Sequence, residues 1–236
     1  MSYTILDIQV KLAQLGFNPG PIDGEFGPLT SKALKLYKTT QGLPHTDIIG
    51  PLTIASLFDA KAPSIPAVKS NENNEPIWLQ VAKNYLGVSE VIGYKHNPII
   101  VGWWKRLGLP FVTDETPWCA GFVGGVLEEC GFKSTRSGLA LSYANYGVRL
   151  SGPVVGAIVS MKRNGGGHVG IIVGKNKNGN LMILGGNQGN AVNIKPFDAS
   201  RVVAYTWPMG VNRPANVGMK YLPLLNSVGK LSTNEA

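Results

Sequence analysis

The chain has 236 residues, a length that fits one small domain and one medium domain. Hydrophobic residues make up 44% of it, enough for real cores, while 30 glycines and 16 prolines favour turns and short strands over long helices. The two cysteines, Cys119 and Cys130, are too few for a disulfide scaffold or for paired Cys-x-x-Cys metal sites.

The net charge of +8 has two interpretations. It can serve solubility, or it can attract the protein to a polyanion such as an anionic cell envelope. No basic cluster with interleaved aromatic residues occurs, so nucleic acid is not predicted as a partner. The first ten residues lack the pattern of a signal peptide, and no apolar run is long enough for stable membrane insertion.

The first 58 residues are predicted to contain three helices. Hydrophobic residues at helical spacing predict a helix over residues 4–15, with Thr4 as its N-cap. Pro28 suits the first turn of a second helix that ends near Gly42, because proline needs no N–H partner there. A third, short helix follows Gly50-Pro51.

The turn between the first two helices carries a specific motif. Leu15-Gly16-Phe17 is followed by Gly20-Pro21-Ile22-Asp23-Gly24-Glu25-Phe26-Gly27-Pro28-Leu29-Thr30. This order resembles the three-helix peptidoglycan-binding domain, over roughly residues 3–58. The resemblance implies that peptidoglycan is a partner, and it makes Asp23, Gly24 and Phe26 candidate substrate-binding residues.

Residues 59–76 mix proline, serine and asparagine without an apolar period, which predicts a linker. The second domain should then begin with a helix near Pro76, and another should follow Asn97-Pro98. That second helix carries Trp103 and Trp104, which fit either the core or a platform that stacks on a sugar.

Cys119 lies where an amphipathic helix is predicted to begin, over Pro117 to Glu129 with Thr116 as its N-cap. Unpaired N–H groups and the positive helix end lower the pKa of a thiol there, as a nucleophile requires. The alternative is a buried structural cysteine. Cys130 lies about 16 Å further along the same helix, too far for a disulfide with Cys119, and is interpreted as a packing residue.

The pattern changes after this helix. A short helix is predicted around residues 140–146, and then turn signals separate short apolar runs. These runs predict a strongly bent antiparallel sheet of about five strands, over residues 154–161, 168–173, 181–184, 190–194 and 202–207.

His168 and Asn187 are predicted to lie close together on this sheet. If Asn178-Gly179 forms the centre of a hairpin, the numbers of opposed residues sum to 357, and Asn187 faces Gly170. His168 is two residues from Gly170 and shares its face, so His168 and Asn187 become diagonal neighbours unless the loop has odd length. His168 would then take the Cys119 proton while Asn187 accepts an imidazole N–H. His45 and His96 have weaker contexts.

Four motifs together resemble the CHAP branch of the NlpC/P60 cysteine peptidoglycan hydrolases, over about residues 77–208. They are Trp118-Cys119-Ala120-x-Phe122-Val123, Gly156-Ala157-Ile158-Val159, Gly167-His168-Val169-Gly170 and Gly185-Gly186-Asn187-Gln188.

This resemblance implies that Cys119, His168 and Asn187 are catalytic, and we add Trp118 and Gln188 as candidate substrate-binding residues. Many members carry a glutamate where this chain has Gly185, so a triad is expected in place of a tetrad. Some bind calcium through an acidic loop; Asp114 and Glu115 lie near the cysteine without an Asp-x-Asp pattern, so no metal and no other cofactor is predicted.

The predicted fold class is therefore α+β, with a three-helix bundle linked to a papain-like domain whose helices pack on the bent antiparallel sheet. The predicted domains are a peptidoglycan-binding domain over 1–58, a linker over 59–76, a CHAP-like catalytic domain over 77–210 and a C-terminal extension over 211–236.

The predicted function is that of a phage endolysin, a monomer made in the host cytoplasm without a signal peptide that reaches the wall in the periplasm after release. It would hydrolyse an amide bond of peptidoglycan, either between muramic acid and L-alanine or within the stem peptide. The alternatives are a virion-associated or toxin-type wall hydrolase, and a non-catalytic wall-binding protein that keeps the fold.

Overall fold

The computed structural model describes residues 3–41, 43, 46–58, 75–93, 95–163, 165–226 and 231–232. The described residues up to 58 belong to one compact unit, and those over 75–127 and from 132 onward belong to a second. The predicted linker over 59–76 lies outside the described residues except for its last two. Within the described parts of the chain, no helix has the length and hydrophobicity needed to cross a membrane.

The first unit is built from three helices, α1 (Ile5–Gln14), α2 (Pro28–Thr40) and α3 (Pro51–Phe58). Thr4 caps α1 as predicted: its hydroxyl accepts the N–H of Asp7, whose carboxylate in turn accepts the N–H of Thr4. The helices meet in a small apolar core formed by Ile8, Leu12, Ala33, Leu34, Tyr37 and Leu57.

Gln9 holds the loop between α1 and α2 in place. Its side chain is fully buried, and its Oε1 accepts the N–H of Gly24 at 2.8 Å. Its Nε2 donates toward acceptors on both sides of that glycine, including Asp23 Oδ1 at 3.0 Å and the Glu25 carbonyl at 2.9 Å. One buried amide therefore fixes the shape of the loop that carries the sequence motif.

The second unit begins with three helices, α4 (Ile77–Lys83), α5 (Pro98–Arg106) and α6 (Cys119–Glu129). A 3₁₀ helix over Ala140–Asn145 precedes the sheet. The six strands are β1 (Val148–Leu150), β2 (Ile158–Arg163), β3 (Gly166–Lys175), β4 (Leu181–Gly185), β5 (Asn193–Phe197) and β6 (Val202–Trp207).

The strands form one antiparallel sheet in the order β1-β6-β2-β3-β4-β5. The predicted α+β class is thus confirmed, with a sixth strand added. Sequence analysis missed β1 because it has three residues and pairs only with β6. The predicted first strand begins late, at Ile158, because Gly156 adopts a left-handed turn conformation with a φ of 87°.

The predicted C-terminal extension packs on this unit where it is described. The β3–β4 register shifts between Ile172 and Gly174, and Lys175 lies just beyond the shift. The N–H of Lys175 donates to the Pro223 carbonyl at 2.9 Å, and the N–H of Leu225 donates to the Lys175 carbonyl at 2.8 Å. The extension therefore makes a short parallel bridge to β3.

Three glycines of α6 allow α5 and its loop to pack closely against it. A Cβ at Gly121 would lie 2.9 Å from the Trp104 ring, and a Cβ at Gly125 would collide with the Trp103 ring. A Cβ at Gly124 would lie 2.8 Å from Leu107. Each glycine costs about 1 kcal/mol of helix propensity, and burial of two indoles offsets that cost.

Trp103 and Trp104 are 1% and 0% exposed, so they are core residues. The alternative interpretation, a platform that stacks on a sugar, is wrong for both.

We predict opposite effects for two glycine-to-alanine substitutions in this helix pair. Gly125→Ala should lower the free energy of unfolding by about 1–3 kcal/mol, because its Cβ would displace the Trp103 ring. Gly102→Ala in α5 meets open space and should raise it by about 0.5–1 kcal/mol. Urea unfolding followed by tryptophan fluorescence reports on the second unit, which holds all five tryptophans. Shifts of the same sign in both variants would contradict this packing.

Candidate active site

Cys119 is the first residue of α6, and its thiol is a free, buried group with 8% of the residue exposed. The preceding residue anchors this helix start. Trp118 is fully buried, and its indole N–H donates to Glu90 Oε1 at 2.8 Å. The Trp118 carbonyl also accepts the N–H of Phe122 and so closes the first turn. The position of the thiol is thus set by the core.

The backbone N–H of Val169 on β3 lies close enough to the thiol to lower its pKa. The sheet explains why that N–H is available. The N–H of Ile172 donates to the Ala157 carbonyl on the β2 side, so alternation points the N–H of Val169 toward β4. The last β3–β4 pair is Ile171 with Leu184, and β4 ends at Gly185. Val169, the residue after His168, therefore lies beyond the paired residues of β3 and β4, and its N–H is directed at the Cys119 thiol.

Burial raises the pKa of the Cys119 thiol, because the charged thiolate is disfavoured away from water. The N–H groups of Val169 and Ala120 lower it, as does the positive charge of Arg163, but together they do not offset burial. The expectation of a lowered thiol pKa was therefore wrong. It rested on the helix end alone, and local sequence carries no measure of desolvation.

His168 lies on β3 opposite Met161, and it is 1% exposed. Its imidazole stacks on the Phe197 ring, with centroids 5.3 Å apart and planes 8° from parallel. Its Nε2 lies 3.0 Å from Gln188 Oε1. Stacking and hydrogen bonding together restrict both the position and the rotation of the ring.

Gln188 determines which imidazole nitrogen carries the proton. Its Nε2 donates to the Asn193 carbonyl at 2.8 Å and to Asn193 Oδ1 at 2.9 Å. A backbone carbonyl can only accept, so the amide nitrogen must face Asn193 and Oε1 must face His168. His168 Nε2 therefore carries a hydrogen and donates it to Oε1. In the neutral ring, Nδ1 then holds the lone pair and is the nitrogen that can take a proton.

Asn187 does not take the predicted place beside the imidazole. Its Oδ1 is buried without a hydrogen-bond partner. The hairpin register differs from the assumed sum of 357, because opposed residues sum to 356 near the turn and to 355 beyond the bulge. The β4 strand also ends at Gly185, and Asn187 turns the chain with a φ of 54°. Extending the ladder past the end of the strand was the error.

Gly185 leaves the space that Gln188 uses. A Cβ at this position would lie 2.6 Å from Gln188 Oε1 and 3.1 Å from His168 Nε2. Any side chain here would therefore press on the hydrogen bond between these two residues. The absence of a side chain at Gly185 therefore leaves room for the Gln188 amide beside His168.

Trp118 and Gln188, the predicted substrate-binding residues of this unit, lie in its interior. Both are 0% exposed, and their polar groups bond to Glu90 and to His168 and Asn193. Adjacency to Cys119 or Asn187 in the chain thus did not indicate exposure, and a role of either residue in substrate binding stays a prediction. In the first unit, Asp23 and Gly24 bond to Gln9, and Phe26 is 37% exposed.

Asp114 is occupied by protein groups. It accepts the N–H of Val91 and of Asn97, each at 2.8 Å, and its Oδ1 lies 2.9 Å from His96 Nδ1. Burial raises the pKa of Asp114, but these hydrogen bonds outweigh burial and hold the pKa below its usual value. Among the residues that the structure describes, no three His, Cys, Asp or Glu side chains gather as metal ligands. His45 lies outside the described residues.

Comparisons with known proteins identify two domains in the chain. Residues 3–57 match the model of a peptidoglycan binding domain, and residues 111–187 match the CHAP domain. The chain therefore carries an N-terminal peptidoglycan-binding domain and a C-terminal CHAP domain, as the sequence motifs predicted.

One curated relative is the N-acetylmuramoyl-L-alanine amidase CwlM of Mycobacterium tuberculosis, which is 41% identical over 54 residues. That match covers 23% of this chain and spans only 13% of the relative. No solved structure matches the chain.

We predict that alkylation of Cys119 by iodoacetamide is slow at neutral pH and speeds up only above the ordinary thiol pKa range. The reason is that burial favours the neutral thiol, so a higher pH is needed to form the reactive thiolate. A Cys130→Ala background isolates the signal, and mass spectrometry measures the rate. The same variant unfolded in urea should titrate normally. A native profile with its midpoint below that of the unfolded protein would contradict the argument from burial.

Proposed function

We propose that this chain, a peptidoglycan-binding domain joined to a CHAP domain, is a peptidoglycan hydrolase that cleaves an amide bond through Cys119. The observation that carries the proposal is the arrangement around β3. Cys119 contacts the N–H of Val169, and the adjacent His168 is held by Gln188 with its Nε2 protonated. A thiol, a base and an orienting amide gathered beside the end of β4 are the components of thiol acyl transfer.

The first chemical step transfers an acyl group to sulfur. Cys119 Sγ attacks the carbonyl carbon of the scissile amide while its proton passes to His168 Nδ1. The tetrahedral intermediate then collapses, and Nδ1 returns the proton to the departing amine. In the second step, a water molecule gives a proton to Nδ1 and attacks the thioester, which releases the carboxylic acid and restores the thiol.

Burial of the thiol favours proton transfer during attack over a preformed ion pair. A raised thiol pKa keeps sulfur neutral in the free protein, so no charge is held in the core. When His168 becomes an imidazolium, its Nε2–H bond to Gln188 Oε1 becomes charge-assisted and strengthens. Gln188 thus stabilises the ring most when the ring carries charge, which is what catalysis requires.

The start of α6 offers donors for the oxyanion. The N–H groups of Cys119 and Ala120 lie close enough to the sulfur to lower its pKa. The first turn of a helix leaves such groups without intrahelical partners. We assign them the stabilisation of the negative oxygen that forms when sulfur attacks.

The peptidoglycan-binding domain supports the choice of substrate. Its motif loop is held rigid by Gln9, and Phe26 lies on that loop with 37% of its surface exposed. We propose that the loop contacts the wall polymer, with Phe26 as an apolar contact and with Asp23 and Gly24 shaping the loop. The net charge of +8 would favour binding to an anionic envelope.

Two amide bonds fit the proposed chemistry, the bond between muramic acid and L-alanine and a bond within the stem peptide. The match to an N-acetylmuramoyl-L-alanine amidase favours the first. We further propose that the protein serves lysis of a bacterial host, as an endolysin does. Induced expression with an export partner should then lyse the cells, and intact growth despite active enzyme in the periplasm would point to a virion-associated or toxin-type role.

We predict that Cys119→Ala abolishes clearing of purified peptidoglycan, because the nucleophile is removed. Binding to the same polymer should persist, since the peptidoglycan-binding domain is unchanged. Cys130→Ala is the matched control and should keep wild-type clearing. Mass spectrometry of the released muropeptides identifies the bond cut. Clearing by Cys119→Ala at the parent rate would overturn the proposed mechanism, and no cleavage by any form would leave a non-catalytic wall-binding protein.

We also predict that Gln188→Met lowers kcat about 10²–10³-fold, because the imidazole loses the partner that sets its tautomer. Asn187→Gly keeps the left-handed backbone and removes a side-chain oxygen that has no partner, so kcat should stay within about tenfold of the parent. Initial rates on soluble muropeptides, with circular dichroism as a folding control, measure both. The reverse order of effects would restore Asn187 as the orienting residue.

A further inference from the structure

Arg163 lies on the same face of the sheet as His168. It is the last residue of β2 and pairs with Gly166, while Met161 pairs with His168 two positions away. Directly opposed residues share a face, so Arg163 and His168 are diagonal neighbours there. A Cβ at Gly166 would lie 3.9 Å from Arg163 Nε, so the arginine side chain extends over this glycine.

Within the described residues, Arg163 has no hydrogen bond of the kind that holds Arg149 and Arg201. Its Nε is buried without a hydrogen bond. The ion pairs Lys83–Glu75 and His96–Asp114 of the same unit involve other side chains. By contrast, Arg149 donates to the Val203 carbonyl at 2.9 Å, and Arg201 donates to the Lys162 carbonyl at 2.9 Å. A guanidinium with a buried, unused donor is costly unless a ligand completes it.

The charge of Arg163 acts on the reacting centre, because it lowers the pKa of the Cys119 thiol. Two carboxylates of this unit are already engaged by protein groups. Glu90 accepts the indole N–H of Trp118, and Asp114 accepts two backbone N–H groups. The neighbouring charge on β2, Lys162, alternates to the other face of the strand and is exposed.

We propose that Arg163 binds a carboxylate of the substrate, so that the enzyme prefers peptide stems in which a free carboxylate flanks the scissile amide. The planar guanidinium matches a carboxylate with two parallel N–H bonds, which fixes direction as well as position. This role deepens the proposed hydrolase function and rests on it. By holding a substrate carboxylate one residue from the scissile amide, Arg163 would position the scissile carbonyl relative to Cys119.

The test uses two synthetic muropeptides that differ at one group, a free carboxylate beside the scissile bond in one and a carboxamide in the other. The quantity measured is the ratio of kcat/KM on the first to kcat/KM on the second, for the full chain. A ratio within one variant cancels any loss of folded enzyme. It also cancels the effect of Arg163 on the thiol, which both substrates experience equally.

The parent enzyme should prefer the carboxylate about 10- to 100-fold, the range expected of a charge-assisted hydrogen-bonded pair. Arg163→Gln should bring the ratio close to one, and Lys162→Gln, which loses the same charge from the opposite face, should keep the parent ratio. A parent enzyme without preference, or Arg163→Gln with the parent ratio, would overturn the assignment. Failure of the proposed function has a different signature: Cys119→Ala would cleave both substrates as fast as the parent, or the parent would cleave neither.

Discussion

The hydrogen bond between His168 Nε2 and Gln188 Oε1 determines how the candidate site can work. It places a proton on one imidazole nitrogen and leaves the other as the acceptor. Its geometry depends on residues that take no part in chemistry. Asn193 fixes the Gln188 amide from β5, and Gly185 keeps the intervening space empty. The orientation of His168, the proposed base, thus depends on a loop and on the ends of two strands.

Cys119, the proposed nucleophile, is positioned by a separate part of the fold. Glycines on α6 admit the indoles of α5, and Trp118 anchors the helix start through Glu90. These contacts place the Cys119 thiol where β4 has ended and the N–H of Val169 has no ladder partner. Because β4 ends at Gly185, the chain can turn so that Gln188 reaches His168. For the same reason, the N–H of Val169 faces the Cys119 thiol and not a strand partner. One interruption of the sheet supports both halves of the site.

Sequence reasoning could predict what depends on local pattern. The capping of α1 by Thr4, the helix with Cys119 in its first turn and the strand that carries His168 all follow from spacing and end signals. The predicted start of that helix at Pro117, with Thr116 as N-cap, was wrong by two residues, because α6 begins at Cys119. Sequence reasoning could not predict Gln188, because that assignment depends on where β4 ends and on the backbone of Asn187. Gly174, directly after the predicted strand over 168–173, is a residue type that often marks a bulge, and the register of β3 with β4 does shift there. Burial of Trp118 and of the Cys119 thiol follows from tertiary packing alone.

The most direct test of this account is the tautomer of the neutral His168 ring, measured from the imidazole ¹⁵N chemical shifts of the labelled protein. Three histidines are present, so assignment by single substitution is simple. The account predicts a protonated Nε2 and an unprotonated Nδ1, because Gln188 Oε1 can only accept. A neutral ring protonated at Nδ1 would contradict it, since the nitrogen assigned to take the Cys119 proton would already carry one.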